Sequence, residues 1–230
     1  MKPAYWARSA HKWIGLVVGV QALLWMISGV YMTVVPLEII HGDHLAHVRG
    51  TPLQVAATRI EPATLQQSFP GLTSLKLKTL LGREVYEVRQ GKRLSLVDAH
   101  TGAQISPLKE ADARALAKAA YQGDASVRAV DWVTRAPQEV ASRPVPMWAV
   151  HFDDRGQTTL YFSPDNGELL ARRHSLWRWF DFLWMFHIMD YDTRSDVNNS
   201  LLRVAAIGGL LFALSGAWLL VYSFRRRSAA

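Results

Sequence analysis

Residues 13–35 run for 23 positions without a charged side chain, and residues 201–224 are apolar apart from Arg203 at their start. About 20 apolar residues in a helix cross the hydrocarbon core of a bilayer, so each run is long enough to span. Nothing else in the chain is as restrictive, because hydrocarbon offers the backbone no hydrogen-bond partners and forces such a run to be helical. The first run ends in Met32-Thr33-Val34-Val35-Pro36, which lacks the small-residue cleavage pattern of a signal peptide and reads as a retained anchor. Arg225-Arg226-Arg227 follow the second run, and Lys2, Arg8 and Lys12 flank the first on its N-terminal side. The tendency of basic flanks to stay inside predicts that both termini are cytoplasmic and that everything between the spans lies outside.

Composition matters mainly for what it excludes. Half of the 230 residues are apolar, but they are concentrated at the ends, and the middle has the mixed charge of a water-exposed domain. The net charge of +7 comes largely from residues at the membrane boundaries or interspersed with carboxylates, so a bilayer surface accounts for it and nucleic acid is not an expected partner. The chain has no cysteine, which excludes disulfides, thiolate metal sites, cysteine-ligated iron–sulfur clusters and covalently attached c-type haem.

The middle reads as an internal repeat. Tyr86-Glu87-Val88-Arg89, then residues 94–97 and Asp98-Ala99-His100-Thr101-Gly102, are matched by Trp148-Ala149-Val150-His151, then residues 159–162 and Ser163-Pro164-Asp165-Asn166-Gly167, the two closing glycines lying 65 positions apart. Each copy has alternating strands, a glycine in its hairpin turn (Gly91, Gly156) and a closing turn. A helical segment precedes each, residues 62–69 in the first copy and 110–121 in the second. The unit is therefore α+β, twice.

This pattern of helix, three strands and closing turn resembles the PepSY module, and its position between membrane spans resembles the PepSY-associated transmembrane family over nearly the whole chain. His11-Lys12-Trp13-Ile14-Gly15 is similar to that family's opening His-x-Trp-x-Gly signature, and Leu214-Ser215-Gly216-Ala217-Trp218-Leu219 to its closing Ser-Gly-x-x-Leu helix. The resemblance implies an α+β membrane protein: two transmembrane helices around a tandem PepSY-like extracytoplasmic domain, in a bacterial cytoplasmic (inner) membrane with the domain periplasmic. The expected segments are a cytoplasmic N-terminus at 1–12, a span at 13–35, a histidine-containing extension at 36–48, repeats at 49–107 and 108–173, an aromatic interfacial helix and acidic turn at 174–199, a second span at 200–224 and a cytoplasmic tail at 225–230. Larger members have four or more spans, so a four-helix bundle here implies a homodimer. Small residues at intervals of four, Gly15 and Gly19 in the first span and Gly209, Ala213 and Ala217 in the second, suit close helix packing, within one protomer or between two.

Most of the eight histidines flank hydrophobic segments. His11 opens the first span, and His41, His44 and His47 follow its far end at intervals of three, which a continued helix sets along one drifting face. His187 ends residues 176–187, a stretch with three tryptophans and three phenylalanines, too short and polar to cross and suited to the headgroup level. Imidazoles on facing helices serve as axial haem ligands, and boundary histidines equally cap helices or bind headgroups; the spacing leaves both open. Some members of the resembled family are haem-containing reductases of ferric iron or ferric siderophores, and the two-span layout resembles the small VciB-type iron reductases. That resemblance implies bis-histidine haem b, with His11 and His187 as ligands, His44 as the best additional one and His41 behind it. It also implies ferric iron or a ferric chelate as substrate, and an electron donor on the cytoplasmic side or in the quinone pool.

Asp190 and Asp192, among Asp181, Asp196, Asn198 and Asn199, are candidate oxygen ligands for a ferric ion, or else members of a solvated, capped turn, the more ordinary reading. His100 and His151 have no second histidine at ligand spacing and read as structural. No hydrolase, zincin, phosphate-loop or dinucleotide fingerprint occurs. A different class also stays open: PepSY units resemble inhibitory propeptide segments of peptidases, which implies a non-enzymatic binding or regulatory role toward a periplasmic partner.

Overall fold

The computed structural model describes residues 3–48, 50–53 and 58–227, and the chain divides into two compact units, Met1–Leu37 with Trp179–Ala230, and Glu38–Arg178.

In the first unit, α1 (Pro3–Val34) and α6 (Ser200–Arg227) are long helices whose apolar stretches, Tyr5–Val34 and Ser200–Val221, are long enough to cross a membrane. Val17 and Leu16 on α1 and Val204 on α6 are 78%, 68% and 67% exposed, a surface that lipid covers and water does not tolerate. Helix α1 starts ahead of the expected span because proline suits a first helical turn, where its missing N–H is not needed, and no breaker follows Pro3. It stops before Pro36, which disfavours helical geometry in the residue before it. The two helices run antiparallel: His11 meets Ser215, while Val18 lies against Gly208. Their approach depends on glycine, since a Cβ at Gly15 would fall 2.7 Å from the Phe212 ring and one at Gly208 3.2 Å from Val18. Gly19, by contrast, faces open space.

The aromatic stretch forms α5 (Ser175–Ile188), 14 residues and too short to cross. The orphan carbonyls of a helix C-terminus need donors, and α1 supplies them: Gln21 Nε2 donates to the Phe186 carbonyl (2.9 Å) and Trp25 Nε1 to that of His187 (2.7 Å). Asn199 caps two helices, donating to the Ile188 carbonyl at the end of α5 (2.9 Å) and accepting from the Leu202 amide at the start of α6 (2.8 Å). The end of α5 is thus docked on α1 through these side chains.

The second unit contains the repeats. Helix α3 (Pro62–Ser68) precedes β1 (Ser74–Leu80), β2 (Arg83–Gln90) and β3 (Arg93–Asp98), which form an antiparallel sheet in that order. Helix α4 (Glu110–Ala120) precedes β4 (Val127–Val133), β5 (Met147–Phe152), β6 (Thr159–Phe162) and β7 (Leu169–Arg173), again antiparallel and in sequence order. The registers superimpose the copies: Tyr86 pairs with Val97 as Trp148 pairs with Phe162. Each closing turn has its glycine at positive φ, +73° at Gly102 and +70° at Gly167, and the glycine N–H donates to the carbonyl four residues back. The second sheet gains β7 where the first has only a single bridge, Val97 to Gln104, at the position equivalent to Phe162 and Leu169. Repeat 1 does not extend that bridge, because Pro107 has no N–H to donate to a neighbouring strand and α4 begins at Glu110.

Alternation on the strands builds the cores. Tyr86, Val88 and Val97 pack with Leu65 of α3. Val150, Leu160 and Phe162 pack with Ala113, Leu116 and Ala117 of α4, and Val85 and Leu96 from the other face of the first sheet close over the same cluster. Met147, Ala149 and Tyr161 form a third cluster with Val140.

Candidate functional site

The two family-like motifs at the ends of the chain meet in the helix pair. His11 Nδ1 lies 2.9 Å from Ser215 Oγ, and its ring stacks on Phe212 with centroids 4.4 Å apart and planes 12° apart. Gly216 makes room for this ring: a Cβ there would sit 3.2 Å from His11 Cε1. Gly15 in turn makes room for the stacked Phe212.

A matching arrangement occurs further along α1. His187 Nδ1 lies 2.8 Å from Ser28 Oγ, and the His187 ring is parallel to Trp184 within 11°. Ser28 is fully buried. Each of the two histidines is half-buried and uses Nδ1 on a serine, and among the described residues neither Nε2 has a hydrogen-bond partner. His11 and Ser28 are separated by 17 residues of one helix, about 25 Å at 1.5 Å per residue. Two imidazoles so far apart do not bind one iron.

The other expected ligands lie in the second unit. His41, His44 and His47 do not share a helix face: the short helix α2 (Leu37–His41) ends there, and Gly42 at φ +72° turns the chain before His44. His47 is on an extended segment whose N–H donates to the Ala120 carbonyl (2.9 Å). His44 sits edge-on to His174, with centroids 6.0 Å apart. His174 is 4% exposed and its Nε2 donates to the Ile40 carbonyl (3.1 Å). Burial holds its basicity below the ordinary value for histidine, with the Ile40 carbonyl opposing.

Asp190 organises its own loop. Its Oδ1 accepts from the amides of Asp192 and Thr193, and its Oδ2 from the Thr193 hydroxyl and the amides of Ser195 and Asp196. The Thr193 hydroxyl and these amides keep its carboxyl well below the usual range. Its lone pairs are committed to the turn. Among the described residues no group of three or more His, Cys, Asp or Glu side chains is placed to hold a metal ion. His100 and His151 have local partners: His100 Nδ1, in the closing turn, lies 2.6 Å from the Thr58 carbonyl, and His151 Nε2 on β5 lies 3.0 Å from Asp131 on β4.

The second unit also has a cavity of about 600 Å³ lined by Pro107, Leu108, Lys109, Glu110, Trp132 and Trp148, among others. The indole N–H of Trp148 is already committed to the Leu108 carbonyl (2.9 Å), so the lining offers mainly flat apolar surface.

Sequence reasoning did not assign roles to Ser28, Gln21, Trp25, Phe212 or Ser215. The polar groups Gln21, Trp25 and Ser28 recur at four and three residues, one face of α1, within a span that is otherwise read for its lack of charge. That polar stripe was the available signal.

No curated protein and no solved structure matches this chain. A family model described as the PepSY-associated TM region matches residues 8–230. With its two membrane-spanning helices around two antiparallel sheets, the chain belongs to the PepSY-associated transmembrane family.

Proposed function

We propose that this protein is a haem-b-containing ferric reductase of a bacterial cytoplasmic membrane, passing electrons from a cytoplasmic or quinone donor to ferric iron or a ferric chelate at its periplasmic domain. One observation carries the proposal: His11 and His187, near opposite ends of the membrane unit, each have Nδ1 held by a serine and Nε2 without a hydrogen bond among the described residues. This donor set fits haem iron, since a ligating histidine is normally steadied through its second ring nitrogen. The adjoining Phe212 and Trp184 rings and the absence of cysteine suit a non-covalently held macrocycle. Bound haem supplies one-electron iron chemistry, and the protein supplies ligands, burial and orientation.

Residues 200–227 contain no histidine. A second ligand near His11 is therefore the His11 of a second copy of the chain or a residue other than histidine, and His44, then His41, are the additional candidate ligands with their pairing open. The acceptor follows from the resemblance to small iron reductases. Detergent-purified protein is expected to show a b-type signal in its reduced-minus-oxidised spectrum, with His11→Ala and His187→Ala each lowering haem content or shifting its bands. The dithionite-reduced protein is expected to reduce a ferric chelate. A spectrum without haem rejects the proposal, and unchanged spectra in both variants reject the ligand assignment.

The alternative, a binding module without redox activity, is favoured by the Trp132–Trp148 cavity. A haem-free protein that retains a partner through this cavity, and loses it on Trp132→Ala, would select that reading.

A further inference from the structure

A neutral imidazole has one N–H, and whichever nitrogen holds it cannot bind a metal. Neighbouring groups decide the matter for His11 and His187. Ser28 Oγ lies 2.8 Å from the Leu24 carbonyl, 3.1 Å from the Trp25 carbonyl and 2.8 Å from His187 Nδ1. A hydroxyl has one hydrogen to donate and a carbonyl only accepts. If that hydrogen pointed at His187, the Ser28 oxygen would face the Leu24 carbonyl at 2.8 Å with no proton between two sets of lone pairs. The hydrogen therefore goes to the carbonyls of α1, and Ser28 meets the imidazole as an acceptor. Being fully buried, it has no water to offer a different arrangement.

Ser215 repeats the logic. Its Oγ lies 2.7 Å from the Phe212 carbonyl and 2.9 Å from His11 Nδ1. Its hydrogen goes to the carbonyl and its lone pair to the ring. The roles of the helices are exchanged between the two sites: at one, histidine is on α1 and serine on α6; at the other, serine is on α1 and histidine on α5. Ring stacking on Phe212 and Trp184 and the space left by Gly216 hold the planes.

We infer that Ser215 and Ser28 are positioning residues that fix His11 and His187 as Nδ1–H tautomers and present a bare Nε2 nitrogen as the ligand atom. The inference deepens the haem proposal and rests on it for its purpose, while the tautomers themselves exist without haem. An N–H held by a second-sphere acceptor also raises the basicity of the ligating nitrogen.

The test uses the full chain with ¹⁵N-labelled histidine, haem-free in detergent, where nitrogen chemical shifts separate protonated from unprotonated ring positions. His11→Gln and His187→Gln assign the two signals. Both histidines are expected to show a protonated Nδ1 and an unprotonated Nε2. Ser215→Ala and Ser28→Ala are each expected to convert the matching histidine to a mixture of tautomers, and Ser→Thr at the same positions to restore the single form. In haem-loaded protein the alanine variants are expected to weaken haem retention by about tenfold. A protonated Nε2 at either histidine of the unmodified chain overturns the inference, as does a tautomer unaffected by the alanine change. If an alanine variant does not fold, the unmodified chain alone decides. A purified protein that never takes up haem sinks the reductase reading but leaves the tautomer measurement intact, so the two failures are distinguishable.

Discussion

A buried histidine and a turn glycine show how single residues carry this fold. Burial disfavours the charged form of His174 and lowers its basicity, so the unfolded chain binds a proton more readily than the folded one. Its contribution to stability is complete above the unfolded value near 6.5 and is lost as pH falls through that value toward the lower folded one. The apparent melting temperature of the protein is therefore expected to drop between neutral pH and about pH 5.5. A His174→Gln variant is expected to show a smaller drop; equal slopes would count against the assignment. Gly167 stands at φ +70°, and a Cβ there would lie 3.0 Å from Leu80 Cδ1. Gly167→Ala is expected to destabilise by about 1–2 kcal/mol, the cost of placing an L-residue in left-handed geometry, measured as a lowered denaturation midpoint. The glycine was legible from the repeat. The burial of His174 was not, because nothing adjacent in sequence marks a residue covered by a loop more than a hundred positions earlier.

At the scale of elements, α5 is the informative case. Its 14 residues are too few to cross a bilayer, which the length alone conveys. Its docking is decided by Gln21 and Trp25, whose donors reach carbonyls at its C-terminus from 165 and 162 positions away. Gln21→Leu is expected to leave the Phe186 carbonyl without that donor and to cost about 0.6–2 kcal/mol. The measurement is thermal stability in detergent with Trp25→Phe alongside; the two losses are expected to exceed that of an exposed change such as Val17→Ala. The expectation that His41, His44 and His47 share a helix face shows the opposite limit. Their spacing suits a helix, but Pro36 and Gly42 break the chain on either side of α2, and regular spacing carries no information across such breaks.

For the whole molecule, the three hydrophobic clusters found among the described residues lie between Ala46 and Ala171, within the unit Glu38–Arg178. Among the described residues, neither membrane helix contributes to them. Residues 38–178 alone are therefore expected to be soluble and to unfold cooperatively, with mixed α/β circular dichroism; a chain without a cooperative transition would show that the spans are needed for folding. The repeats share one of these clusters, since Val85 and Leu96 of the first close over α4 of the second. Deleting one repeat is accordingly expected to unfold the other.

Two spans, the repeated α+β unit, its closing glycines and the membrane-flanking histidines could be read directly from the sequence, because apolar run length, strand alternation and turn chemistry are local properties that residues express wherever they fold. Tertiary structure decided what no local pattern encodes. It gave His11 a serine on α6 and His187 a serine on α1, committed Asp190 to its own turn, and placed carbonyls of α5 against polar side chains of α1. A hydrogen bond between positions 11 and 215 depends on how two helices pack, and that depends on small residues such as Gly15, Gly208 and Gly216, whose effect appears only when a second helix lies against them.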